Sequence, residues 1–248
     1  MIPLFLALSI LSISANAWTI NTTHEYGKIF GVHVWQRKLT SGNNSVTVHS
    51  VTFQNSTHTI RVTDHPPPHQ RYLADAARSA KAIAGCNASY FHPDFRPLGL
   101  VIADGRLIHD KERAPLLSGI LLVRNNNIQL VRSTEFHHDP SIQAAIQAGP
   151  WLVENGKPVS GLENLKRARR TLIATDDQGR WALIATSPIT LHTVASLLTS
   201  GKAVPNLVVR KALNLDGGSS TALWAATQPE LVIPEFTFVR NFVLIFPK

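Results

Sequence analysis

The feature that most limits this chain is a succession of short apolar runs, each broken by a small polar turn. "VIADGRLI" turns at Asp104-Gly105, "LLVRNNNIQLV" at Asn125 to Asn127, and "WLVENGKPV" at Asn155-Gly156. "RTLIATDDQGRWALIATS" repeats the device. Asp-Gly and Asn-Gly suit the left-handed backbone that a tight hairpin requires. The runs "KIFGVHVWQRKL", "SVTVHSVTF" and "HTIRV" add a period-two alternation rich in Val, Thr, Ile and aromatics. That alternation is the signature of strands with two different faces. The middle of the chain therefore reads as antiparallel hairpins, and "FTFVRNFVLIF" adds a β-like run at the end.

Helical spacing appears in few places. "RYLADAARSAKAIAG" is alanine-rich and is expected to form a helix ending at Gly85. In "SPITLHTVASLLTSGKA", Leu191, Val194, Ala195 and Leu198 share one helical face, Thr190 can cap the start and Gly201 can end it. "LVVRKALNL" reads as a strand, and "STALWAA" after the glycine turn as a short helix. "DHPPPHQ", Asp64 to Gln70, is a break, because proline lacks an amide donor. Residues 18–248 are expected to form one α+β domain, a large mixed or mainly antiparallel sheet with a few packed helices.

Composition settles what holds such a domain together. At 248 residues with 44% hydrophobic side chains, a sizeable core is available. Cys86 is the only cysteine, so no internal disulfide forms, and its apolar setting marks a buried thiol. Residues 1–17 hold a short apolar run and end in "ANA", which fits a cleaved export leader. The run is too short to span a bilayer. The expected location is thus secreted or periplasmic, without membrane insertion after cleavage. A net charge of +8 favours anionic partners. The densest basic cluster, Lys166 to Arg170, lacks the interleaved aromatics of nucleic-acid binders, so no nucleic acid is expected. Neither CxxC nor HExxH metal spacing occurs, and no cofactor is identifiable.

Four stretches could carry chemistry. In "NLDGGSSTALW", Asp216 follows a strand-like run, and Gly217 and Gly218 free the backbone. Ser219, Ser220 and Thr221 then offer hydroxyls and amides to an anion at a helix start, or simply cap that helix. "GCNASYFHPDFRPLGL" places Asn87, Tyr90, His92, Asp94 and Arg96 on a proline-stiffened loop. "AIQAGPWLVENGK" offers Gln147 and Gly149-Pro150 for a close backbone approach. In "RARRTLIATDD", Arg170 precedes a strand, where a guanidinium can grip phosphate at two points.

Taken in order, "GCNASYF", "PLGLVIADGRLI", "QAGPWLVENGK", "RRTLIATDDQGRWAL", "TLHTVASLLTSGKA", "ALNLDGGSSTAL" and "VRNFVLIF" resemble the phosphodiester glycosidase family. The resemblance runs from about Ala82 to Phe246. Ala88-Ser89 stand where that family often has two glycines, and "DGGSS" is one glycine shorter than its common form. The resemblance implies glycosidic cleavage of a sugar-1-phosphodiester, with a phosphate-linked sugar or anionic glycan as partner. It carries over Asn87, Tyr90, Arg170, Gly217, Gly218, Ser219 and Ser220 as substrate-binding residues and Asp216 as a site residue. Chemistry assigns Asp216 the essential carboxylate, since phosphate is a good leaving group and needs little acid help. Asp94 and Glu135 are candidates for a second carboxylate. Cleavage of the P–O bond, or a non-catalytic glycan-binding or export-accessory role, are the alternatives.

Overall fold

The computed structural model describes residues 17–64 and 71–248. The expected leader falls outside these residues except for Ala17, and the proline break except for Asp64. The chain opens with a meander of β1 (Thr19–Ile29), β2 (Val32–Ser41) and β3 (Asn44–Gln54), then β4 (His58–Asp64). The turn between the first two strands is Phe30-Gly31, both at positive φ, 46° and 85°. Sequence periodicity did not reveal β1, because its largely polar residues lie exposed along most of its length at a sheet edge.

α1 (Leu73–Ser79) is shorter than the alanine pattern predicts, and Gly85 does not cap it. Gly85 instead sits inside β5 (Ala84–Asn87). A Cβ there would lie 2.8 Å from the Val243 carbonyl, so only glycine allows the strands to approach this closely. The expected hairpins follow as β6 (Val101–Ala103) with β7 (Arg106–His109), and β8 (Gly119–Arg124) with β9 (Asn127–Arg132). β10 (Ile142–Ala148) precedes a third hairpin of β11 (Trp151–Glu154) and β12 (Lys157–Pro158). A fourth joins β13 (Ala168–Thr175) to β14 (Arg180–Ile189).

α2 (Leu191–Thr199) matches its sequence signals. The Thr190 hydroxyl accepts from the Thr193 amide at 3.1 Å, and Gly201 follows the helix at φ 72°. β15 (Lys211–Asn214) leads into a single 3-10 turn at Gly218–Ser220. The helix expected over "STALWAA" does not form. Leu223, Trp224 and Ala225 instead make β16 (Leu223–Ala225), bonded on one side to β5 and on the other to β17 (Leu231–Ile233). Two ladders bury these three side chains and outweigh their modest helical preference. β18 (Asn241–Pro247) closes the chain.

Three sheets result, and every strand pair among the described residues is antiparallel. Their orders are β1-β2-β3-β14-β13-β15-β11-β12, β7-β6-β10-β8-β9 and β17-β16-β5-β18-β4. Alternation along the strands sends one face of each sheet into a common core. Val51, Ile173 and Leu183 come from the first sheet, Val123 and Ile146 from the second, and Cys86, Leu223 and Val243 from the third. The opposite faces are covered separately. α2 packs on the first sheet through Val194 and Leu198, and α1 on the third through Leu73 and Ala77. Burial raises the Cys86 thiol pKa, which keeps it protonated and inert.

Gly85→Ala is expected to cost about 1–3 kcal/mol of stability through overpacking against Leu244 and the Val243 carbonyl. Urea unfolding should show a lower midpoint at unchanged slope.

Candidate active site

The site is assembled where β5 of one sheet meets β13 and β15 of another. Asn87, the last residue of β5, is fully buried. Its Oδ1 accepts from the Thr171 hydroxyl at 2.6 Å and from the Ala222 amide at 2.9 Å. Its Nδ2 donates to the Asp216 carbonyl at 2.7 Å. Expected to touch substrate, Asn87 has no surface to offer one; it fastens the Asp-Gly-Gly turn to both sheets. The Asp216 amide adds a second tie by donating to the Ala88 carbonyl at 2.9 Å.

The turn itself is shaped by its glycines. A Cβ on Gly217 would stand 2.9 Å from the Arg169 carbonyl, and Gly218 holds φ 64°. The first demand leaves no room for a side chain, and the second strains one. The anion site expected at a helix start is not built, because the residues after Gly217 make one 3-10 turn and then a strand. What the turn presents is local. The Gly217 amide donates to Asp216 Oδ1 at 2.8 Å, Ser220 is buried, and Ser219 is exposed.

Burial pushes the Asp216 carboxyl up to about 6, against the opposing pull of Ser220 and Gly217. Tyr90 lies beside it. Burial, then the Asp216 charge, raise the Tyr90 pKa, so the phenol stays neutral. Its hydroxyl donates to the Gly149 carbonyl at 2.6 Å and accepts from Asn214 Nδ2 at 2.8 Å. Asn214 Nδ2 also reaches the Gly149 carbonyl at 3.0 Å. Thus the Gly149-Pro150 segment does reach the site, through a backbone oxygen. Gln147 does not. It is buried and braces the backbone at Leu100, Glu112 and Leu117.

Arg170 extends β13 past the point where Leu172 pairs with Asn214. Its Nε donates to the Ile189 carbonyl at 3.0 Å and its Nη2 to the Lys166 carbonyl at 2.8 Å. Burial lowers the pKa of the guanidinium, and the Glu163 carboxylate opposes that shift. The two carbonyls hold the side chain in one orientation, with its Cδ 3.9 Å from where a Gly217 Cβ would stand. The two proposed second carboxylates are elsewhere occupied or placed. Asp94 pairs with Arg96 at 2.8 Å on the surface, and Glu135 lies exposed between β9 and β10. His92 donates its amide to the Arg96 carbonyl within the same loop.

Sequence reasoning missed Asn214 and Thr171. Both were visible as polar residues inside otherwise apolar strands, "ALNL" and "RTLIA". A groove of about 690 Å³ lined by His33, Trp35, Arg180 and Asn206 opens at the far end of the first sheet. No Asp or Glu is among its lining residues, and Glu25 pairs with His33 at 3.5 Å on its border. Among the described residues, no three His, Cys, Asp or Glu side chains gather as a metal site. Among the described residues, no helix is long and apolar enough to cross a membrane.

Comparison with known sequences decides the family. The pattern described as phosphodiester glycosidase matches residues 80–245. The chain belongs to the phosphodiester glycosidase family. No curated protein matches it. Among solved structures, the zebrafish N-acetylglucosamine-1-phosphodiester alpha-N-acetylglucosaminidase catalytic domain, auto-inhibited by its pro-peptide, superposes with a TM-score of 0.65. That match has 15% identity and covers 94% of this chain and 89% of that one. A hypothetical protein from Synechocystis superposes with a TM-score of 0.61 at 18% identity, covering 88% of this chain. This chain spans 62% of that one. A candidate exported protein of Burkholderia pseudomallei gives 0.54 at 11% identity, over 82% and 74% of the two chains. At these identities the likeness is one of fold. Family membership supports a hydrolase acting on glycosyl phosphodiesters.

The raised Asp216 pKa has a stability consequence. Between its ordinary 3.8 and about 6, the folded state binds more protons than the unfolded state. Stability therefore falls as pH rises through that window. Asp216→Asn removes the effect. Its stability relative to the parent protein is expected to rise by about 3 kcal/mol from pH ~3.5 to pH ~7, read from urea unfolding at each pH.

Proposed function

We propose that the protein is an exported hydrolase that cleaves the glycosidic bond of a sugar-1-phosphodiester in an envelope or extracellular glycan. One observation carries the reading: three segments remote in sequence, around residues 87–90, 149 and 170–171, converge on the segment 214–220 that bears the Asp216 carboxylate. The family supplies the substrate class. Asp216 activates water or attacks the anomeric carbon. In the hydrolytic step the water oxygen bonds to that carbon, and its proton passes to Asp216. The bond from carbon to the phosphate oxygen breaks, and its electron pair leaves with the phosphate.

The surroundings suit this division of labour. A carboxylate raised to about 6 is a stronger base than a solvated one and is still ionised at neutral pH. Arg170 supplies positive charge on the Tyr90 side, where a departing phosphate gains charge. The Ser219 hydroxyl and the Tyr90 ring border the same turn. The phosphate is a good leaving group, so no buried general acid is required.

Asp216→Asn is expected to lower turnover of an N-acetylglucosamine-1-phosphodiester by about a thousandfold with the fold retained. For the parent enzyme, kcat/KM should rise with pH through about 6 and then level off. Wild-type-like turnover in the variant removes Asp216 from catalysis. Hydrolysis in ¹⁸O-water should place label in the sugar hydroxyl; label in the phosphate means P–O cleavage instead.

A further inference from the structure

Beside the Asp216 turn runs a strip of exposed aromatic rings, two of them carrying guanidinium groups. Phe236 is 73% exposed, Tyr72 47% and Phe238 37%. Singly exposed rings are ordinary, but rings grouped on one surface mark a place where something binds. The strip starts at the site, because the Phe236 amide donates to the Ser219 carbonyl at 2.7 Å. The Arg169 guanidinium lies 4.4 Å from the centre of the Phe236 ring. Arg71 lies 5.1 Å from the centre of Phe238, and the Tyr72 and Phe238 rings are 5.2 Å apart.

The strip is held in place from below. The buried Glu235 carboxylate accepts from the Leu73 amide at 2.6 Å and joins the Phe236 segment to the start of α1. Arg169 Nη2 donates to the Thr221 and Pro234 carbonyls at 2.8 and 2.9 Å, tying the segment to the Asp216 turn. Two buried polar atoms of this joint, Arg169 Nη1 and Thr221 Oγ1, have no partner among the described residues. Arg169 and Arg170 donate to different carbonyls, so Arg169 is a separate cation beside the same turn.

We propose that this strip binds the next repeat of a phosphodiester-linked glycan, the part that continues past the bond being cut. The inference rests on the hydrolase reading above and specifies a polymeric substrate. Sugar rings pack their C–H faces on open aromatics, and the exposed Arg71 guanidinium attracts the phosphate that a further repeat brings. The net charge of +8 agrees with an anionic strand. A single sugar phosphodiester would reach Asp216 but leave the strip empty.

The test uses the full chain carrying Asp216→Asn, titrated calorimetrically with synthetic oligomers of one, two and three N-acetylglucosamine-1-phosphate repeats. Affinity is expected to rise about tenfold from one to two repeats. Phe236→Ala in the same background should abolish that rise while the one-repeat affinity holds; Phe236→Tyr should restore it. Phe236 is largely exposed, so the fold should tolerate both changes, and thermal melts check this. Arg71→Ala should weaken only the longer oligomers and reduce their salt dependence. Equal affinity for all three lengths overturns the strip and leaves the hydrolase reading standing. An affinity gain that survives Phe236→Ala also overturns it. If no oligomer binds and the parent enzyme turns none over, both readings fall.

Discussion

The arrangement depends on one buried amide. Asn87 accepts two hydrogen bonds and donates a third, and its three partners lie on two remote parts of the chain, β13 and the segment 216–222. Such a group is costly to bury unless its hydrogen bonds are made. Once they are made, β5, β13 and the Asp216 turn can meet in only one way. The position of the carboxylate relative to Tyr90 follows from that junction. Proximity on this scale is what a catalytic site must supply, since small misplacements lose much of the benefit of orientation.

Around this joint the sheets share a single core. The first sheet pairs β3 with β14 and β15 with β11, so neighbours in space are far apart in sequence. Its strands cannot settle before the distant partners arrive, which favours late and cooperative assembly. With no disulfide available, the common apolar core and the ladders carry the whole structure.

Much of the scaffold could be read from the residues, because its signals were local. Hairpins at Asp104-Gly105 and Asn155-Gly156, and α2 with Thr190 and Gly201, each declare themselves within ten residues or so. The failures were positions decided by distant partners. Gly85 looked like a helix end because the alanines before it are helical, yet the Val243 backbone required a glycine in a strand there. Leu223 to Ala225 looked helical until two ladders claimed them. The site followed the same rule. Asp216 and its glycines were legible as a turn, and the resemblance supplied Tyr90 and Arg170. That Asn87 faces inward, and that Gly149 contributes a carbonyl, depend on how sheets from opposite ends of the chain meet.

The Asp216 turn is gripped through its main chain. Asn87 holds the carbonyl of residue 216 and Ala88 receives its amide, while the side chain takes no part in either bond. The main chain thereby carries the anchorage, and the side chain carries the carboxylate. Under the proposed function, a change of side chain at position 216 removes the chemistry while leaving both main-chain ties to be made.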